Sequence, residues 1–286
     1  MLRKPAVAGY FYEDNPEKLR KQIKSCFLHT LGPGELPVVN TQGPRKIIGL
    51  ISPHAGYLYS GPVAAYGFLE LSKDGVIDYV VIIGPNHHGI GAPVSIYPGG
   101  YWETPLGRIK VPENVVKEFI RTSSILEEDY EAHVYEHSIE VQLPFLQYIY
   151  GNTFNLIPIS MLLQNPSAAS DIGQTIATVL DNKNFVVIAS SDFSHYVPYN
   201  TAYQKDREAI NAILKKNPRL LYRRVLELDI SMCGYGPVMA LLYTLKYLGL
   251  KSEGKLLKYL TSGDVTGDKT SVVGYSSIVF SREEEA

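Results

Sequence analysis

Three apolar, β-branched runs in this chain each stop at a turn that carries a histidine. The runs are Ile47-Ile48-Gly49-Leu50-Ile51, Tyr79-Val80-Val81-Ile82-Ile83 and Phe185-Val186-Val187-Ile188-Ala189. The turns are Ser52-Pro53-His54-Ala55-Gly56, Gly84-Pro85-Asn86-His87-His88-Gly89 and Ser190-Ser191-Asp192-Phe193-Ser194-His195-Tyr196. Helix-like segments separate the runs, and strands alternating with helices imply a largely parallel sheet with helices on both faces. In open sheets of that kind, ligands gather beyond the carboxyl ends of the strands. A fourth segment, Met232-Cys233-Gly234-Tyr235-Gly236, adds a thiol. Imidazole and thiolate delivered from separate segments are the donors a borderline-to-soft transition metal needs. The expectation is a metal site with one ring left over for chemistry.

Composition narrows the function classes. The chain has 286 residues, 45% hydrophobic and 20% charged, with a formal net charge of −2. That is enough to bury a sizeable core. No basic run exceeds a helix face, so neither nucleic acid nor an anionic membrane is expected as a partner. No apolar stretch has the length of a signal peptide or a membrane span. Cys26 and Cys233 are the two cysteines. They make no disulfide framework, so a cytoplasmic location is expected. No nucleotide or flavin motif is present.

Local patterning gives the elements. Asn15-Pro16 starts an amphipathic helix over 15–30, and the Gly/Pro-rich stretch Leu31–Pro44 is a loop. Strand 46–51, a helix near 61–72 and strand 78–83 follow. Two short strands are expected in 92–110, helices at 112–122 and 134–149, a strand at 154–161 and a helix at 167–181. Strand 184–189 precedes a helical stretch over 200–228 and a helix at 236–248. Strands 255–262 and 271–280 close the chain around a loop at 262–269. No linker divides it, so one domain over 1–286 is expected: an α/β fold with a mixed, largely parallel sheet flanked by helices.

Of the candidate residues, His54 sits in a turn whose small residues leave room for a ligand. His87 and His88 are adjacent, so only one faces a given site, and we take His87, nearer the strand end. Asp192 is placed either to orient the imidazole of His195 or to cap a following helix. Cys233 precedes a helix N-terminus, whose field favours the thiolate. Cys26 reads as core. His133 and His137 have the i, i+4 spacing of zinc-protease helices, but the His-Glu-x-x-His order is missing. His137 and Tyr57 are expected to line a substrate pocket.

Taken together, Pro53-His54-Ala55-Gly56-Tyr57, Gly84-Pro85-Asn86-His87-His88, Glu136-His137-Ser138-Ile139-Glu140-Val141-Gln142-Leu143-Pro144-Phe145, Ser191-Asp192-Phe193-Ser194-His195-Tyr196 and the Cys233-Gly234 turn resemble the Memo family. So does the opening Pro5-Ala6-Val7-Ala8-Gly9-Tyr10-Phe11-Tyr12. The resemblance implies the fold of class III extradiol dioxygenases, with the pocket at the position of their iron. It implies His54, His87 and Cys233 as metal ligands, with iron or copper expected and zinc as an alternative. His195 would match the dioxygenase acid–base histidine, with Asp192 beside it. It also implies AMMECR-type and radical SAM proteins as partners of prokaryotic members, and phosphotyrosine peptides as ligands of eukaryotic ones. The dioxygenases use two histidines and a carboxylate. Cys233 in place of the carboxylate is softer and oxidisable, which argues against ring cleavage. Three functions are consistent with this pattern: a metal-dependent redox enzyme, a binding module for a phosphorylated or anionic ligand, and an interaction protein acting through its partners.

Overall fold

Burial is unbroken along the strands Ile47–Ser52 and Phe185–Ser190 and nearly so along Tyr79–Pro85 and Asn155–Met161. Strands buried on both faces belong in the middle of a parallel sheet. In this computed structural model, which describes residues 1–42 and 44–283, these four strands lie side by side and parallel. Their order is Asn155–Met161, Tyr79–Pro85, Phe185–Ser190, Ile47–Ser52. Gly43 of the expected loop and residues 284–286 of the expected domain lie outside the described residues.

The register aligns the strand ends. Pro85 stands opposite Met161, Ile83 opposite Ala189 and Ser52 opposite Ser190. The turns after them therefore leave from one edge. The sheet continues outward through antiparallel strands. Val272–Arg282 pairs with Ile47–Ser52 and with Ser252–Thr261, while Gly100–Thr104 pairs with Gly107–Val111 at the other side. Among the described residues one 12-stranded mixed sheet results, as expected for the fold class.

Helices cover both faces. A Cβ at Gly49 would sit 2.5 Å from Leu241 of helix Tyr235–Tyr247, whereas Leu50 packs against Gly67 of helix Tyr57–Asp74. Consecutive strand residues point to opposite faces, so these two helices sandwich the strand. Among the described residues, no helix is long and apolar enough to cross a membrane.

Several expected elements are corrected. The helix expected from 61 begins at Tyr57, because Tyr57 N–H is already anchored on the Phe11 carbonyl at 2.8 Å. Pro62 withholds an N–H from the carbonyl of Leu58, a residue exposed to water. The 92–110 region forms three strands, not two: Val94–Ile96, Gly100–Thr104 and Gly107–Val111. The helical stretch over 200–228 consists of two helices, Tyr199–Leu214 and Pro218–Glu227, parted at Asn217-Pro218. The 262–269 loop contains a short helix, Ser262–Thr266, closed by a capping box from Thr261 and Asp264.

The largest correction falls at 134–149. That stretch is a short helix Glu131–Val134, an irregular segment, a 3-10 turn Glu140–Gln142 and a helix Leu143–Tyr150. A buried ion pair breaks it. Arg3, in the short strand Leu2–Arg3, is 1% exposed and binds the carboxylate of Glu140, itself fully buried. Its other guanidinium nitrogens donate to the carbonyls of His133 at 3.0 Å and Glu136 at 2.6 Å. These carbonyls are thereby drawn out of the helical ladder. Glu140 also accepts from Ala6 N at 2.8 Å and Val7 N at 3.1 Å. Removing one partner of such a pair strands the other charge away from water. Arg3→Met is expected to cost about 3–5 kcal/mol in denaturant unfolding, and Arg3→Met with Glu140→Leu to recover part of that loss.

Candidate functional site

Two of the three histidine turns are braced at the histidine N–H by a carboxylate from another segment, and the third, at His195, by the Ser231 hydroxyl at 2.7 Å. The His54 N–H donates to Asp192 Oδ1 at 2.8 Å, and the His87 N–H donates to Glu136 Oε2 at 2.6 Å. Both carboxylates are buried. This corrects both readings of Asp192. It does not hold Nδ1 of the His195 ring, which is bonded to the Ser231 carbonyl, and it caps no helix, since the chain after it enters the strand His195–Val197.

The ring tautomers follow from the hydrogen bonds. Ser190 Oγ donates its single proton to the Ser138 carbonyl at 2.7 Å and accepts from Gln142 Nε2 at 2.8 Å. It can therefore only accept from His54 Nδ1, also at 2.8 Å, so Nδ1 carries the proton. His87 Nδ1 meets Glu136 Oε1 at 2.9 Å, and His195 Nδ1 meets the Ser231 carbonyl at 2.8 Å. Both partners accept, so in the neutral form of all three rings Nε2 carries the lone pair.

His54 Nε2 faces Cys233 Sγ at 3.2 Å. Ligand atoms of His54, His87 and Cys233 all lie within 4.8 Å of one another. Two imidazoles and a thiol converging at that distance fit the donor set of a tetrahedral or three-coordinate transition-metal site. The helix Tyr235–Tyr247 begins just after Cys233, but its field does not dominate the thiol. Burial, then the charge of Asp192, push the thiol well above its ordinary value. A cation seated here would have to displace the thiol proton. Gly234 permits the approach, since a Cβ there would sit 2.6 Å from the Cβ of Ser191.

Burial sets most of the surrounding charge states. It lowers His54 well below the ordinary imidazole range and takes His137 down to about 4, the carboxylate of Glu136 only partly offsetting this for His137. Burial also lowers His87, but the hydrogen bond and charge of Glu136 outweigh it and leave that ring raised. Burial acts to raise Glu136, yet its bonds to His87 hold it below the usual carboxylate range. Asp192 is pushed up to about 6 by desolvation, against the opposing pull of the His54 N–H and of His195.

The remaining expected residues fall in three places. His137 joins the cluster, its ring stacked on His87 with centroids 4.6 Å apart and 5.4 Å from that of His54. His88 lies exposed, its ring 6.3 Å from that of Tyr135. Tyr57 does not line a substrate pocket. It is 2% exposed, packs on Phe145 and donates its hydroxyl to the Val141 carbonyl at 2.7 Å. His133 is separated from His137 by the broken helix and is fully buried beside Tyr97 and Trp102, which rules out a shared helical face. Sequence reasoning missed Ser190, Gln142, Ser231 and the bracing role of Glu136. Only the strand-end position of Ser190 signalled any of them.

Burial lowers His133 to about 3, with Arg3 adding to the effect. Between pH 6 and 4 the unfolded chain therefore binds a proton on this ring that the folded chain does not. Stability falls as pH drops, by about 1.4 kcal/mol per unit for one such ring. His133→Gln is expected to flatten the acid limb of a urea-unfolding pH series by that slope.

The comparisons with known proteins agree with this architecture. Residues 3–279 match the family model described as Memo-like protein. A MEMO1 family protein of Thermotoga neapolitana is 48% identical, the match covering 98% of this chain and all of that one. Another, of Ignicoccus hospitalis, is 46% identical over 98% of this chain and 99% of its own. The crystal structure of an uncharacterized protein from Escherichia coli K12 superposes with a TM-score of 0.57 at 13% identity. That match covers 82% of this chain and all of the other, and at this identity it shows a shared fold.

Proposed function

This chain belongs to the Memo family, and from that premise we propose that its strand-edge cluster is a transition-metal centre serving redox chemistry on a small molecule. The observation that carries the reading is the convergence of His54, His87 and Cys233 within 4.8 Å, with the far nitrogen of each ring already bonded. Fixed second nitrogens are what metal-binding histidines have. Iron or copper is the expected ion, the thiolate favouring copper or zinc over iron(II). A bound transition metal would supply Lewis acidity and an electron couple.

The protein's own groups do the rest. His54 and His87 present Nε2 from rigid turns, so little ordering is left to do on binding. His195 is half-buried, with Nδ1–H held on the Ser231 carbonyl. Its Nε2 is the base that takes a proton from substrate and the acid that returns it. Phe11 packs on His137 at 4.8 Å between centroids and walls that side of the cluster from water. A phosphorylated or other anionic ligand suits the metal-free pocket less well, because Asp192 and Glu136 are buried in its wall and His54 and His137 are held neutral.

Protein purified without tag or chelator is expected to contain near-stoichiometric iron or copper by mass spectrometry, and Cys233→Ser and His87→Ala to contain little. Failure to retain metal after anaerobic reconstitution with iron(II), copper(I) and zinc would sink the reading.

A further inference from the structure

Two imidazole nitrogens approach one oxygen of Glu136. Nδ1 of His87 lies 2.9 Å from Oε1 and Nδ1 of His137 lies 3.6 Å from it. The two rings are close to parallel, 21° apart. The shorter distance is a hydrogen bond, and the longer one is not. Among the described residues the ring nitrogens of His137 make no hydrogen bond, although its side chain is only 18% exposed. A largely buried imidazole with no partner, facing a fully buried carboxylate, is a donor pair with a gap between its members.

Ligand atoms of His87, Glu136 and His137 lie within 4.8 Å of one another. Two histidines and a carboxylate are the donor set of non-haem iron(II) and of many zinc sites, harder than a set containing a thiolate. We propose that these three residues form a second cation site, suited to a harder divalent ion such as Mn2+, which overlaps the thiolate centre through His87 and excludes it.

Exclusion follows from proton bookkeeping on one ring. A neutral imidazole has one lone pair and one N–H. With Nδ1–H on Glu136, the lone pair at Nε2 is available to the His54 and Cys233 side. An ion seated between Glu136 Oε1 and His87 Nδ1 takes the place of that proton, which moves to Nε2. The ring stays neutral and no proton is lost to solvent. The lone pair on the Cys233 side, however, is gone. Glu136 keeps its backbone bonds from His87 N at 2.6 Å and Ser138 N at 2.8 Å, so the turn does not have to rebuild. The sulfur side selects soft ions and the carboxylate side hard ones, with His87 available to only one at a time. The second site goes beyond the proposed metal centre and stands without it, whereas the exclusion rests on that centre.

The test uses the full chain and two probe ions, Mn2+ followed by electron paramagnetic resonance and Cd2+ followed by its ultraviolet thiolate band. One Mn2+ per chain is expected, bound with unchanged affinity in Cys233→Ser and about tenfold or more weakly in His137→Ala. His137→Gln repeats the comparison with more of the side-chain volume kept. Cd2+ is expected to show its thiolate band in His137→Ala, to lose it in Cys233→Ser, and to release Mn2+ one for one from the unsubstituted protein. Mn2+ binding that survives both His137 substitutions, or that disappears with Cys233→Ser, overturns the second site. Tight retention of both ions together overturns the exclusion. A missing cadmium–thiolate band sinks the thiolate centre instead, and the manganese comparison still decides the second site.

Discussion

Two carboxylates held out of water, Asp192 and Glu136, fix the geometry on which the site depends. An unpaired carboxylate in that position would be costly, so each is satisfied by the backbone N–H of a histidine turn. The bonds cross between segments far apart in sequence. Asp192 reaches back to His54, and Glu136 to His87. Each turn is therefore set by a partner outside itself as well as by its own residues. The Arg3–Glu140 pair performs the same service one step further out, holding the irregular segment that delivers Glu136 and His137.

The parallel register supplies the other half of the arrangement. Four neighbouring strands stop level with one another, so the backbone leaves the sheet at one edge several times over. Regular pairing thus converts sequence positions near 54, 87 and 192 into neighbours. The side-chain bonds then refine that proximity into a common tautomer for the three histidines. Ser190, Glu136 and the Ser231 carbonyl are chemically different groups, yet each takes the proton of an Nδ1. The result is a set of rings all offering the same nitrogen.

The sheet and the metal-site candidates could be read in the sequence because their signals are local. An apolar run followed by a turn with histidine needs no knowledge of the rest of the chain. The failures have the opposite character. The helix expected at 134–149 has a plausible pattern, and what breaks it is Arg3, more than 130 residues away. Tyr57 looks like a pocket residue because it follows His54 closely, but it is the first residue of a helix that turns it into the core. Asp192 lies beside the cluster, but its partner is not legible in the sequence. Its sequence neighbour His195 looks like the obvious mate, while the backbone of His54 is the actual one. The tautomers were out of reach for the same reason, since Ser190, Gln142 and Ser231 act only across the fold.

The anchoring of the irregular segment also has a consequence for how the site is assembled in time. Arg3 and Glu140 are separated by 137 positions, and Tyr12 reaches the same carboxylate across 128. During synthesis Arg3 therefore leaves the ribosome long before its counter-ion exists. Contacts of such long range must await closure of a large loop, which is slow compared with forming helices and hairpins. The wall of the pocket that contains Phe11 and His137 thus waits on residue 140, while the pairing of Ile47–Ser52 with Phe185–Ser190 waits on residues that follow it in the chain. A metal arriving during synthesis would therefore meet imidazoles and carboxylate before the thiolate, since Cys233 follows Glu136, His137 and Glu140 in the chain.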